Sequence, residues 1–293
     1  MPFPLIAAPP SPFHPNGDLD LSAVERQAGR LIETGVAGAF VCGTTGEGMS
    51  MTADERGQLA ARWCAVAKGT PLWVIVHVGS NCAADSKALA AHAEAHGAGG
   101  ISTLAPSYHR PPNLTALVDW CGELAAAAPR TPFYYYDIPS FTHVHISTRG
   151  FLEMAGPRIP TLAGLKVSNP NLIEFQRCRA LPKRYELYWG IDEALLAALA
   201  LGADGAVGST YNVAASLYHR LIAAFEKGDW ETAREEQFRS VKLVDALGRH
   251  GFLASMRAVM GLQGVPVGPP RPPHRSLTDN ETSELEELAR GSV

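Results

Sequence analysis

Eight short apolar runs, each followed by a segment of helical period, constrain this 293-residue chain more than any other feature. The runs are Leu5–Ala8, Gly38–Cys42, Leu72–Val78, Gly100–Leu104, Phe133–Ile138, Leu162–Val167, Leu187–Trp189 and Ala206–Val207. Short buried strands alternating with helices are the pattern of repeated βα units in a parallel sheet. Helices are predicted from near Leu21, Thr52, Cys82, Asn113, Ser147, Asn171, Glu193 and Asn212, and Thr52-Ala-Asp-Glu55 has the spacing of a capping box. Gly35, Gly69, Gly97, Gly202 and Gly228 fall where helical patterns stop, as the left-handed turn at a helix end favours. Eight such units close into a (β/α)8 TIM barrel of about 250 residues. Residues 1–228 are therefore predicted to form the barrel. Residues 229–293 are expected to form a C-terminal helical extension packed on it within one domain, with a Pro/Gly-rich break at Gly264–Pro273 and a last acidic helix from near Asp279. The rival open sheet requires a glycine-rich phosphate loop after a strand. Gly97-Ala-Gly-Gly100 instead joins a helix to a strand and reads as a tight turn.

Composition narrows the partners. Lys plus Arg is 25 against 29 Asp plus Glu, a net charge of −4, so neither nucleic acid nor an anionic membrane is expected as a partner. The longest apolar stretch, Leu195–Leu201, is far shorter than the roughly 18 residues of a membrane span. The first residues lack a basic segment and carry Pro2, Pro4, Pro9 and Pro10, which disfavours a helical signal sequence and makes the cytoplasm the expected location. Cys42, Cys64, Cys82, Cys121 and Cys178 are odd in number and widely spaced, with no C-x-x-C pair, and read as reduced packing residues.

Active sites of such barrels lie at the C-terminal ends of the strands. Those ends carry Gly43-Thr-Thr-Gly-Glu47, His77, Tyr108, Tyr136, Lys166, Gly190-Ile-Asp-Glu193 and Gly208-Ser-Thr-Tyr-Asn212. Lys166 alone among six lysines ends a strand. Between apolar neighbours its amine loses hydration, which favours the neutral nucleophile that attacks carbonyl carbon; pairing with a carboxylate, or reach to solvent, are the alternatives. Strand alternation puts Tyr134 and Tyr136 on one face, Tyr135 and Asp137 on the other. Tyr136 at the mouth can relay protons, whereas Tyr134 and Tyr135 read as core. Gly43–Glu47 offers hydroxyls and amides between a strand and a helix start, a cradle for a carboxylate. Asp192 and Glu193 can accept from sugar hydroxyls, or simply stabilise the start of the next helix.

Together, Ala7-Ala-Pro-Pro-Ser-Pro-Phe13, Gly43–Glu47, Tyr136-x-Ile-Pro-Ser140, Gly164-Leu-Lys166 and Gly208-Ser-Thr210 resemble the dihydrodipicolinate synthase and N-acetylneuraminate lyase superfamily of pyruvate-dependent class I aldolases. The resemblance implies that Lys166 forms an imine with pyruvate and that Tyr136 relays the proton. It implies that Thr44 and Thr45 hold the pyruvyl carboxylate and link the relay. Tyr108 resembles the tyrosine that reaches a neighbouring subunit's site, which implies a homotetramer, or at least a dimer. Tyr188–Glu193 and Gly208–Asn212 resemble the sialic-acid lyase branch, whose pattern assigns Gly190, Asp192, Glu193 and Ser209 to the polyhydroxylated tail and a hydroxyl to Ser168. Phe141 stands where the synthase branch has a carboxylate-binding arginine. Asp137, at a position usually Asn or His, and His143, in place of a glycine, depart from the lyase pattern and are candidate specificity residues.

The expected function is reversible cleavage of N-acetylneuraminate to N-acetylmannosamine and pyruvate, a small-molecule reaction using no metal or other cofactor beyond the lysine imine. The alternatives are a 2-keto-3-deoxy sugar acid aldolase, a dehydratase or a dihydrodipicolinate synthase on the same imine. A metal-dependent aldolase would rest on the close pair His143-x-His145, and a non-catalytic keto-acid-binding barrel is the remaining class.

Overall fold

The computed structural model describes residues 3–290. Strands β1 (Leu5–Ala7), β2 (Gly38–Val41), β3 (Trp73–His77), β4 (Gly100–Leu104), β5 (Phe133–Asp137), β6 (Leu162–Val167), β7 (Glu186–Trp189) and β8 (Gly205–Gly208) form a closed parallel barrel in sequence order. Its seam is the pairing of β1 with β8, Ile6 opposite Val207. Around it run α1 (Val24–Glu33), α2 (Ala53–Ala67), α3 (Ala83–Ala95), α4 (Leu114–Ala126), the short α5 (Pro139–Thr142), α6 (Thr148–Ala155), α7 (Leu172–Arg179), α8 (Leu195–Ala200) and α9 (Tyr211–Glu226). The extension adds α10 (Trp230–Gly248), α11 (Phe252–Leu262), α12 (Asp279–Ser283) and α13 (Glu286–Ala289). The fold is the (β/α)8 TIM barrel with C-terminal helices.

Local chemistry sets these boundaries. Thr52 caps α2 in a reciprocal capping box with Glu55, and Asn113, Ser147 and Asn171 each accept the third amide of the helix they precede. Two predicted helix starts differ. Leu21–Ala23 and Asp192–Ala194 are single 3-10 turns ahead of α1 and α8, so Glu193 belongs to the mouth rather than to a helix. Cys42, read as the end of a strand, has φ 59° and turns the chain into the mouth loop. Gly99 is required by close approach, because a Cβ there would fall on the Trp73 indole.

Period two sorts the strand residues into two cores. Ile6, Phe40, Ile75, Leu104, Tyr134, Tyr136, Tyr188 and Val207 fill the barrel, while alternate residues such as Tyr135 pack outward against the helices. The Tyr135 ring lies 4.5 Å from that of Phe151 on α6. Each fully buried large apolar side chain stabilises by about 1.5–3 kcal/mol. Four cysteines are buried in this packing, but Cys82 is exposed, because its position just before α3 faces solvent, which corrects the packing role expected of it.

The extension lies against α9 through α10 and has its own apolar cluster around Leu247, Met256 and Val267. Residues 291–293 of the predicted extension lie outside the described residues. None of the helices among the described residues is long and apolar enough to cross a membrane.

Candidate active site

Lys166 and Tyr136 are register partners on β6 and β5, one residue short of the strand ends, and both point inward. The Lys166 side chain is 5% exposed, and its Nζ lies 3.9 Å from the centre of the Phe40 ring and 4.1 Å from that of Tyr136. Two aromatic faces solvate a cation less well than water does, so burial lowers the amine's pKa below its usual 10.5, opposed by Tyr136 and by Asp192. No carboxylate forms an ion pair with Lys166 among the described residues, and solvent does not reach it freely, so neither bland reading of this lysine describes it.

Asp192 approaches from the turn after β7. It is buried and accepts from the Thr210 amide (2.9 Å) and hydroxyl (2.6 Å), while its Oδ1 has no partner among the described residues. Burial raises its pKa, and the Thr210 bonds and Lys166 pull it back. A Cβ on Gly208 would collide with this carboxylate, which makes glycine at the end of β8 a condition of the site. Behind it, Thr210 meets the Tyr218 hydroxyl (2.5 Å), and Ser240 of α10 bonds both Tyr218 (2.8 Å) and the Asp192 carbonyl (3.1 Å). Glu193 is exposed at the lip, its carboxyl pKa raised by partial desolvation and by Asp192 beside it.

The Gly43–Glu47 segment is a turn closed by Glu47 N–H to Thr44 C=O (3.0 Å) and Gly48 N–H to Gly43 C=O (3.1 Å). A 3-10 turn, Gly48–Ser50, separates it from α2, so the segment lies between strand and helix start as its sequence suggests, one short turn further from the helix. The amides of Thr44 and Thr45 donate no backbone hydrogen bond among the described residues and remain free for an anion. Thr45 Oγ1 and Ser209 Oγ are 2.6 Å apart, joining the β2 and β8 loops. The link from these threonines to Tyr136 implied by the resemblance is not among the hydrogen bonds of the described residues, and the Thr45 hydroxyl meets Ser209. Ser168 donates to the Gly190 carbonyl (3.0 Å), and a Cβ on Gly190 would strike the Ser168 hydroxyl.

The candidate specificity residues separate. Asp137 faces outward from the barrel, 3% exposed, where it accepts from Thr148 (3.1 Å) and Asn169 (2.9 Å). It pins the β6 loop to α6 and so lies away from the mouth, where a substrate-selecting role was expected of it. His143 is exposed and ends α5 with φ 54°, a conformation that glycine adopts without strain and other residues at a cost of order 1 kcal/mol. The glycine of the family pattern thus has a backbone reason. Phe141 and Tyr108 stand out from the rim, 62% and 81% exposed.

Sequence reasoning missed three residues. Phe40 is readable as inward from β2 alternation, and His77 was visible at a strand end without a role. Arg257 carried no signal at all. It reaches from α11 to Glu47, whose Oε2 also accepts from the Arg271 amide (2.8 Å), so the extension grips the Gly43–Glu47 turn.

A closed parallel barrel with a desolvated lysine and a tyrosine at the mouth defines a class of barrel built for carbonyl chemistry. The chain belongs to the Dihydrodipicolinate synthetase family, whose profile matches residues 2–291. Among curated relatives, N-acetylneuraminate lyase of Rattus norvegicus is 39% identical over 287 residues (96% of this chain, 90% of the relative). N-acetylneuraminate lyase A of Xenopus laevis is 42% identical over 272 residues (92% and 89%). The solved Proteus mirabilis N-acetylneuraminate lyase superposes with a TM-score of 0.94 at 38% identity, covering 98% of each chain.

Proposed function

We propose that this chain is a lyase that cleaves N-acetylneuraminate reversibly to N-acetylmannosamine and pyruvate through an imine on Lys166. The observation that carries the reading is the Lys166 amine held between the Phe40 and Tyr136 rings at a strand end. Its neutral form attacks C2 of the open-chain sugar, the carbinolamine loses water, and the resulting iminium accepts the electrons of the C3–C4 bond. Tyr136, having given its proton to the departing carbinolamine hydroxyl, takes the proton of the 4-hydroxyl as that bond breaks, and N-acetylmannosamine leaves as the aldehyde. Protonation of the enamine at C3 and hydrolysis of the imine return pyruvate and Lys166. The iminium is itself the electron sink, so the reaction as written uses neither metal nor organic cofactor.

The free Thr44 and Thr45 amides suit the pyruvyl carboxylate. The unpartnered Asp192 Oδ1, Glu193, the Gly190 carbonyl, Ser168 and Ser209 line the side where a polyhydroxylated tail would lie. Asp137, turned outward onto Thr148 and Asn169, does not line that side. We further propose a cytoplasmic homotetramer in which exposed Tyr108 enters a neighbour's site; sedimentation equilibrium giving only the 31.3 kDa of one chain would remove that role. The function itself is tested by incubating the enzyme with N-acetylneuraminate and measuring both products. Equimolar pyruvate and N-acetylmannosamine are expected, whereas cleavage only of other 2-keto-3-deoxy acids would reassign the substrate.

Lys166 also sets a pH dependence. Because its folded-state pKa is lowered from 10.5, the reactive amine gains population at a lower pH than an ordinary lysine. The initial rate at which borohydride traps pyruvate on Lys166 should rise with pH through one ionisation below 10.5, and a midpoint at or above it would contradict the burial argument. Between the folded and unfolded values the unfolded chain binds more protons, so this residue's contribution to stability rises with pH in that window.

A further inference from the structure

His77 is a buried titratable group at the mouth that the mechanism leaves unused. It ends β3, is 2% exposed, and neither ring nitrogen has a hydrogen-bond partner among the described residues. Its ring meets that of Tyr136 edge to face, centroids 6.1 Å apart at 86°, and lies 6.1 Å from Phe40, the other ring beneath Lys166. Ser102, its register partner on β4, sits at an inward position two residues before Leu104, wholly buried, and its hydroxyl is also without a partner. Three unpartnered polar atoms on adjacent strands are costly, since a buried donor or acceptor without a partner keeps the full penalty of losing water.

The charges around the ring favour a neutral imidazole. Burial acts most strongly in that direction, and Arg56, whose guanidinium donates to the His77 carbonyl (2.7 Å), and Lys166 both oppose a further cation. The Cys42 backbone draws the other way. A neutral imidazole has one N–H donor and one acceptor nitrogen, which together with a hydroxyl suits a single water molecule.

We propose that His77 is a positioning residue for the Lys166 reaction: with Ser102 it holds one ordered water, and the imidazole so fixed sets the Tyr136 ring at the angle its proton transfer needs. This rests on the imine reading of Lys166 and adds to it a residue that touches neither substrate nor the reacting nitrogen. Gly79 fits the same picture, because a Cβ there would lie 3.0 Å from His77 Nε2 and press on the ring.

The test is the rate of pyruvate trapping by borohydride, and kcat on N-acetylneuraminate, in His77→Leu, His77→Gln, Ser102→Ala and the His77→Leu/Ser102→Ala double variant, with Tm measured for each. His77→Leu should slow both rates about tenfold, the scale of one lost hydrogen bond to a reacting assembly, with little change in KM. His77→Gln, which keeps a donor and an acceptor, should recover most of the loss. Ser102→Ala should slow the wild type but add nothing to His77→Leu, because the two share one water. A merely structural histidine predicts the opposite: leucine fills the space without unpartnered polar atoms, and rates stay at the wild-type level while Tm holds or rises. Wild-type rates in His77→Leu, or additive losses in the double variant, would overturn the proposal. Wild-type enzyme that traps no pyruvate would remove the Lys166 reading, and this proposal with it.

Discussion

Replacing Lys166 with alanine is expected to lower turnover of N-acetylneuraminate by more than about 10^4-fold, the scale on which deleting a covalent nucleophile acts and equivalent to about 5.5 kcal/mol of barrier. Nothing else at the mouth can take over. Lys166 is the one lysine within a strand among the described residues, next to the end of β6, and the nearby polar groups are hydroxyls, carboxylates and the imidazole of His77. The fold should survive, because the substitution removes an amine that pays a desolvation penalty where it sits. Lys166→Met, which keeps the volume between the Phe40 and Tyr136 rings, separates lost chemistry from lost packing: it should be as inactive as alanine with a higher Tm. Lys166→Arg should be equally inactive, since a guanidinium does not deprotonate. Turnover within about tenfold of wild type in any of the three would show that the imine is formed elsewhere.

The second large effect lies far from the lysine in sequence. Arg257→Met should destabilise the protein by about 3–5 kcal/mol, because it leaves the Glu47 carboxylate buried without its cation. The two side chains are 3% and 1% exposed, and Arg257 makes its bond from Nε (3.1 Å) and a second from Nη2. It also donates to the carbonyls of Ser11 (2.7 Å) and Val267 (2.9 Å), so one guanidinium ties the β1 loop, the β2 turn and the extension together. Glu47 holds φ 51° in that turn, a strained conformation that the ion pair helps to fix. Thermal denaturation should move down on the order of 10 °C. The KM for the keto acid should rise as well, because the Thr44 and Thr45 amides sit on the turn that is released. Glu47→Gln/Arg257→Met should be less destabilised than Arg257→Met alone, since no unpaired charge remains. Equal stability of Arg257→Met and wild type would show that this pair does not hold the turn.

Much of this architecture is legible in local sequence because its causes are local. Thr52, Asn113, Ser147 and Asn171 cap the helices that follow them, and alternation along Phe133–Asp137 sends Tyr136 inward and Asp137 outward. The alternation already placed Asp137 opposite Tyr136, and treating it as a specificity residue gave more weight to a family position than to the strand. Lys166 stood out because a lysine at the end of an apolar run is unusual. The Arg257–Glu47 pair joins residues 210 positions apart, and no periodicity or spacing marks such a contact in one of 19 arginines. Ser209 was read as a substrate ligand from the resemblance, but its contact with Thr45 depends on how β2 and β8 flank β1 in the closed barrel, a relation of topology rather than of sequence. The left-handed conformations of Cys42, Glu47 and His143 escaped for a related reason: without glycine, a positive φ is imposed by the surrounding fold and leaves no trace in the residue type.

The central claim is that Lys166 carries the substrate as an imine. It is tested most directly by incubating the pure protein with N-acetylneuraminate, reducing with borohydride, and locating the adduct by intact mass and peptide mapping, with pyruvate alone as the parallel sample. The account predicts a reduced pyruvyl adduct on the peptide containing Lys166 in both samples. An adduct from pyruvate but not from N-acetylneuraminate would keep the lysine and change the substrate; an adduct on another lysine, or none in either sample, would contradict the account.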